Sequence, residues 1–160
     1  MTKKVISTSL LLFVFITFGT IVYQETRAKT ASEIDWGKGD VNSVIYFHAD
    51  KRCTTCNNME AYTKAVVNSD FAKEVASRSL QWRTLNWQRE ENKTYVKKFS
   101  LLGNAIVVVG VENGQYARHL NLDEIWDYSH DEKEFKEYIR KTLGKFIADN
   151  SLGRNAEGAK

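Results

Sequence analysis

The chain has 160 residues, enough for one domain of roughly 100–150 residues plus an extension. Apolar residues make up 42% and aromatics 12%, which excludes an intrinsically disordered chain. A net charge of +3, with Lys and Arg interspersed among Asp and Glu, argues against a nucleic-acid-binding surface, and no nucleic-acid partner is expected.

Lys3 and Lys4 precede an uncharged apolar run from Val5 to Tyr23. A buried core helix would show a polar face, and this run has none, so residues 5–23 are predicted to be a membrane segment. The run exceeds the ~7–15-residue apolar stretch of a signal peptide and approaches the ~20 residues that span hydrocarbon. Its length favours an uncleaved signal anchor, while Thr26-Arg27-Ala28 supplies small residues at the positions a signal peptidase reads, which keeps a cleaved signal peptide open. Positive charge ahead of the span predicts a cytoplasmic N-terminus, with the remaining chain membrane-attached on the extracytoplasmic, periplasmic side. Residues 1–23 are thus the signal anchor or signal peptide, and residues 24–42, polar and carrying Gly37 and Gly39, are a tether.

Ser43 to His48 is a β-branched and aromatic run of the kind that forms a strand covered on both faces. The pair Cys53 and Cys56 follows, and from Thr54 the pattern becomes helical, with Cys56, Met59, Tyr62 and Val66 on one stripe. Leu80 to Trp87 is a second strand, followed by a polar turn over Gln88 to Asn92 and a short helix carrying Tyr95, Val96 and Phe99. Ala105 to Val109 is the strongest strand pattern, and Glu112-Asn113-Gly114 predicts a hairpin to Gln115–Leu120. Phe135, Tyr138, Ile139, Leu143 and Phe146 mark a closing amphipathic helix whose start is signalled by Asp131 and Glu134. Residues 149–160 read as a flexible tail. This order of strands and helices is α/β, a small mixed sheet flanked by helices.

A strand leading into Cys53-Thr54-Thr55-Cys56 at a helix start, then a strand with Leu85-Asn86, a Val-rich strand and an Asn-Gly hairpin, resembles thioredoxin over residues 43–148. More narrowly, Tyr46-Phe47-His48, Arg52-Cys53-Thr54-Thr55-Cys56, Glu60-Ala61-Tyr62-Thr63 and Asn121-Leu122-Asp123-Glu124-Ile125-Trp126 resemble the small exported nitrophenyl compound nitroreductase subunit ArsF family. The resemblance implies a thioredoxin-like fold. The chain also departs from thioredoxin itself: the Trp-Cys-Gly-Pro-Cys signature is here Arg52-Cys53-Thr54-Thr55-Cys56, the cis-proline expected just before the Val-rich strand is missing, its place falling near Asn104 or Ala105, and the buried Asp that assists proton transfer aligns with Phe47.

The chain's 2 cysteines, both in this motif, could form a plain structural disulfide, but a loop so short removes little entropy from the unfolded chain. Placement favours redox use. Cys53 opens a helix, where free N–H groups and the macrodipole stabilise a thiolate, and Lys51 and Arg52 add positive charge that tunes its pKa. Cys53 is the expected nucleophile; Cys56, on the apolar stripe, is the expected resolving thiol. His48 is a candidate proton shuttle that strand ends more often carry for structural reasons, while His119 and His130 read as surface residues and Trp82, Trp87 and Trp126 as core. The function expected is a thiol–disulfide oxidoreductase acting on exported protein thiols or disulfides with a membrane redox partner. Two alternatives stand beside it: a soft metal or metalloid binder using Cys53 and Cys56, and a non-catalytic subunit of a redox complex. No cofactor is expected.

Overall fold

The computed structural model describes residues 13–23, 34, 36 and 39–157, with residues 150–157 described as backbone. The chain divides into two units, Met1–Ile34 and Asp35–Lys160. In the first, residues 13–23 form helix α1, apolar on all sides, whose Thr17 and Thr20 hydroxyls donate to the carbonyls of Phe13 and Thr17 at 3.0 and 2.8 Å. Such back-bonding satisfies a hydroxyl within its own helix. Among the described residues no helix is long and apolar enough to cross a membrane. Of the membrane segment expected over 5–23, residues 5–12 lie outside the described residues.

The second unit is built around β1 (Val41–His48), which begins two residues before the expected run because Val41 and Asn42 are also paired and buried. A strand paired on both edges and covered on both faces needs an almost unbroken apolar sequence, and Val44-Ile45-Tyr46-Phe47 supplies it. β2 (Leu80–Asn86) pairs parallel to β1, β3 (Ala105–Glu112) pairs antiparallel on the other side, and β4 (Gln115–Asn121) closes a four-stranded sheet of order β2-β1-β3-β4. The β3–β4 turn uses Asn113 at φ 52° and Gly114 at φ 77°, the left-handed pair that a two-residue hairpin requires.

Alternation along the strands divides the core in two. Val44, Tyr46, Ile106 and Val108 face α2 (Thr54–Asp70) and α5 (Glu132–Glu157), where they meet Met59, Val66, Val67, Phe135, Ile139 and Leu143. On the other face Phe47 packs against Phe99 at 5.8 Å and Tyr95 at 6.4 Å, both carried by or adjoining the short α4 (Lys93–Lys98). The short α3 (Ala72–Ala76), which the apolar pattern does not announce, lies between α2 and β2.

Three expectations are corrected. His119 lies opposite Val109 on β4, so its ring turns inward to Phe99 at 5.0 Å and its Nδ1 lies 2.6 Å from the Tyr116 hydroxyl; it is not a surface histidine. Trp126 is 48% exposed, because the 3-10 turn Asp123–Trp126 turns Ile125 into the core and leaves the next side chain outward; Trp82, opposite Val44, does pack on the core. Finally, α5 continues to Glu157, so the tail expected over 149–160 is helical through that residue. Nothing in Asn150 to Glu157 breaks a helix as proline would. The helix starts where the sequence places it: the Asp131 carboxylate accepts the Glu134 N–H at 2.9 Å.

Arg140 of α5 reaches Asp70 at the end of α2 at 2.6 Å, and this hydrogen bond, helped by one from Ser69, holds the Asp70 carboxyl below the ordinary carboxylate range. Two outcomes follow. Truncating Leu143, fully buried between α5 and the sheet, to Ala should destabilise the domain by about 2–5 kcal/mol in urea unfolding; an exposed substitution such as Lys141→Ala should fall within about 0.5 kcal/mol. A depressed carboxyl pKa contributes stability above its unfolded value and loses it as pH falls through the folded one. Arg140→Ala should therefore move the NMR titration of Asp70 upward and flatten that acid-limb dependence.

Candidate functional site

The sulfurs sit where β1 hands the chain to α2. Cys53 caps α2 with an extended backbone, φ −84° and ψ 166°, and its Sγ accepts the Cys56 N–H at 3.1 Å. Cys53 and Cys56 are joined as a disulfide, with their Cα atoms 5.0 Å apart. Helical periodicity makes the two unequal. Cys56 lies on the stripe that Met59, Thr63 and Val66 bury and is 6% exposed, whereas Cys53 stands outside the first turn and is exposed. No acidic residue occupies the first turn of α2, so the positive end of the helix meets the Cys53 sulfur without a competing carboxylate.

Below the disulfide, the buried Tyr46 hydroxyl donates to the Cys56 carbonyl at 2.8 Å. Burial pushes the Tyr46 phenol up to about 12; nearby Arg52 opposes the shift and Glu60 adds to it. The phenol therefore stays protonated, as the donor role requires. Arg52 lies 6.0 Å from the centre of the Tyr46 ring and is ion-paired through Nη1 with Glu60, one turn beyond Cys56 on α2. Lys51 is exposed and makes no hydrogen bond or ion pair with a described residue. His48 is half-buried, with Nδ1 2.9 Å from the Ala49 carbonyl oxygen and its ring stacked on Tyr46 at 6.3 Å.

The loop between β1 and α2 is fastened by amides that sequence reasoning missed. Asn104 Oδ1 accepts both the Ala49 N–H at 2.9 Å and the Trp87 indole N–H at 3.1 Å, using both lone pairs. Gln88 Oε1 accepts the Asp50 N–H at 2.7 Å, Asn86 Nδ2 donates to Asp50 Oδ1 at 2.7 Å, and Arg89 lies 3.1 Å from the same oxygen. The sequence signal was the amide-rich Asn86-Trp87-Gln88, although sequence alone cannot say which backbone groups such side chains will meet. Asn104 is one of the two residues near which the resemblance puts a proline, and no peptide bond among the described residues is cis. Phe47, which stands in the place of the buried Asp, is fully buried among rings and offers no proton acceptor.

The site brings Cys53, Cys56, Arg52 and His48 to one end of the sheet, with Tyr46, Glu60 and Asn104 added to the residues foreseen. Chemically it presents one accessible sulfur on a helix N-terminus and one shielded sulfur behind it. Among the described residues no cluster of three or more His, Cys, Asp or Glu is placed to hold a metal ion. No family model and no curated protein matches the chain. Among solved structures, it is similar to the thioredoxin of Fasciola hepatica, at 19% identity over 65% of this chain and 82% of that one with a TM-score of 0.36. It is also similar to a thioredoxin from Thermus thermophilus, at 14% identity over 64% and 74% of the two chains with a TM-score of 0.39. Likenesses so distant are silent about activity. Strand order β2-β1-β3-β4, with a parallel first pair, an antiparallel hairpin and a Cys-x-x-Cys disulfide where the first strand meets its helix, makes this a thioredoxin-like fold.

Proposed function

We propose that the protein is an exported, membrane-attached thiol–disulfide oxidoreductase that works through Cys53 and Cys56. The observation that carries this reading is the unequal exposure of the two linked sulfurs at a helix start, Cys53 open and Cys56 6% exposed. A merely stabilising cross-link gains nothing from such a position, whereas exchange needs one sulfur for attack and a second that only an intramolecular step can reach.

In the reducing direction, the Cys53 thiolate attacks one sulfur of a substrate disulfide. The S–S bond breaks, the departing sulfur leaves as a thiolate and takes a proton from solvent, and a mixed disulfide to Cys53 remains. Cys56, having lost its proton, attacks Cys53 Sγ, closes the Cys53–Cys56 bond and expels the second substrate thiolate. One substrate disulfide becomes two thiols, and the protein dithiol becomes a disulfide; the oxidising direction is the reverse. The helix N-terminus, Lys51 and Arg52 favour the attacking thiolate, and His48 is the candidate to carry a proton at the mouth of the site. Kinship with the nitroreductase subunit ArsF family rests on the residues shared with it, and the substrates proposed are exported protein thiols or disulfides with a membrane redox partner.

Trapping tests the exchange. Cys56→Ser should accumulate mixed disulfides through Cys53, seen as thiol-sensitive adducts in non-reducing gels, and Cys53→Ser should accumulate none. In the reduced protein at mildly acidic pH, Cys53 should be alkylated at least about tenfold faster than Cys56, the effect of about one pKa unit. Equal reactivity of the two thiols, or tight capture of a soft metal with no adduct in either variant, would replace this reading with that of a binding protein. Location is tested separately. Lys3, Lys4 and the uncharged run behind them lead us to expect the full-length chain in the membrane fraction with its domain open to external protease. Recovery from the cytoplasm would refute that, and a mature chain beginning near Lys29 would refute the anchor alone.

A further inference from the structure

Arg52 precedes the exposed Cys53 by one residue, yet its guanidinium is engaged elsewhere. Nη1 donates to Glu60 Oε2, and the group lies 6.0 Å from the centre of the Tyr46 ring. Both partners are partly screened from solvent, their side chains 30% and 23% exposed. The remaining guanidinium donors, Nε and Nη2, have no partner among the described residues. A disulfide carries no charge, so with the Cys53–Cys56 bond closed the anion nearest this cation is the Glu60 carboxylate. Reduction changes that, since a Cys53 thiolate places a second anion one residue from the same five-donor fork.

We propose that Glu60 is a positioning residue for the dithiol: it holds Arg52 while the disulfide is closed and competes with the Cys53 thiolate for it once the disulfide is open. Glu60 thereby sets how strongly Arg52 stabilises the thiolate, and so how oxidising the disulfide is. The other ionisable groups on the surrounding elements do not duplicate this role. Tyr46 on β1 stays neutral and donates to the Cys56 carbonyl, and His48 lies along its own backbone. Asp50 and Arg89 face each other at 3.1 Å, while Lys51 adds a solvent-exposed charge with no described partner to release it. The proposal shares with the exchange reading the assumption that the reduced Cys53 is the working thiol, but its measurement needs no protein substrate.

The test measures the pH dependence of Cys53 alkylation by iodoacetamide in the full-length reduced protein, together with its equilibrium with glutathione, in which two glutathione thiols open the disulfide and leave as glutathione disulfide. Glu60→Gln, nearly isosteric, should speed alkylation at pH 6 by ~3–10-fold, the effect of about half to one pKa unit. It should also shift the glutathione equilibrium several-fold toward the reduced protein, and Glu60→Ala should act in the same direction. In an Arg52→Met background, which removes the charge and keeps an unbranched stem, the same Glu60→Gln change should alter either quantity by less than about twofold. Arg52→Gln provides a second background. No effect of Glu60→Gln, or an equal effect with and without Arg52, would overturn the proposal, the latter because Glu60 would then act through its own field. Trapping that fails while these shifts appear would sink the exchange reading and leave this one standing.

Discussion

Burial of β1 from Val41 to Phe47 is the constraint from which the rest of the domain takes its place. In a strand bonded on both edges and covered on both faces a polar side chain without a partner is costly, and the strand's position decides where the neighbouring elements lie. Tyr46 meets this demand in a way that also builds the site. Its ring belongs to the core shared with α2 and α5, while its hydroxyl reaches the Cys56 carbonyl. The apolar packing and the position of the disulfide are therefore one arrangement, and a shift of α2 along the sheet would break a buried hydrogen bond worth about 1 kcal/mol or more.

Much of this was legible in the sequence because it is local. The unbroken apolar runs Val44–Phe47 and Ile106–Val109, the Asn113-Gly114 pair and the Asp131 cap are signals of this kind, and the strands they mark and the closing helix lie close to where those signals put them. The cysteine asymmetry was legible for the same reason, since residues three apart on a helix start can be assigned to the stripe or to the cap. Long-range pairing was hidden. His119 looked like a surface residue because the sequence does not say that it lies opposite Val109, and Arg52 looked like a free charge because Glu60 is a turn and more away.

The amides around the site make the same point from the other side. Asn86 ends β2, Gln88 and Asn104 lie in loops, and taken singly such amides read as solvated turns. In the fold Asn104 and Gln88 accept the backbone N–H groups of Ala49 and Asp50, Asn104 also accepts the Trp87 indole N–H, and Asn86 donates to the Asp50 carboxylate. A chain without proline has no rigid ring with which to shape this corner, and Asn104 shapes it with one oxygen that accepts two hydrogens.

The two layers that cover the sheet are unequal, and that inequality reaches the sulfurs. One face carries α2 and the long α5; the other carries α4, six residues long, and a few stacked rings. The α4 layer, with the loop over residues 87–92 that leads into it, is the thinner cover of the sheet, and α2 belongs to the thicker one. The disulfide sits on the seam between them. Its own helix is anchored to the thicker layer, while the loop opposite is held by side-chain hydrogen bonds in place of a packed helix. A molecule docking against Cys53 would thus meet one wall that keeps the sulfurs in register and one that adapts to its shape, which divides precision and tolerance between the two halves of a single small fold.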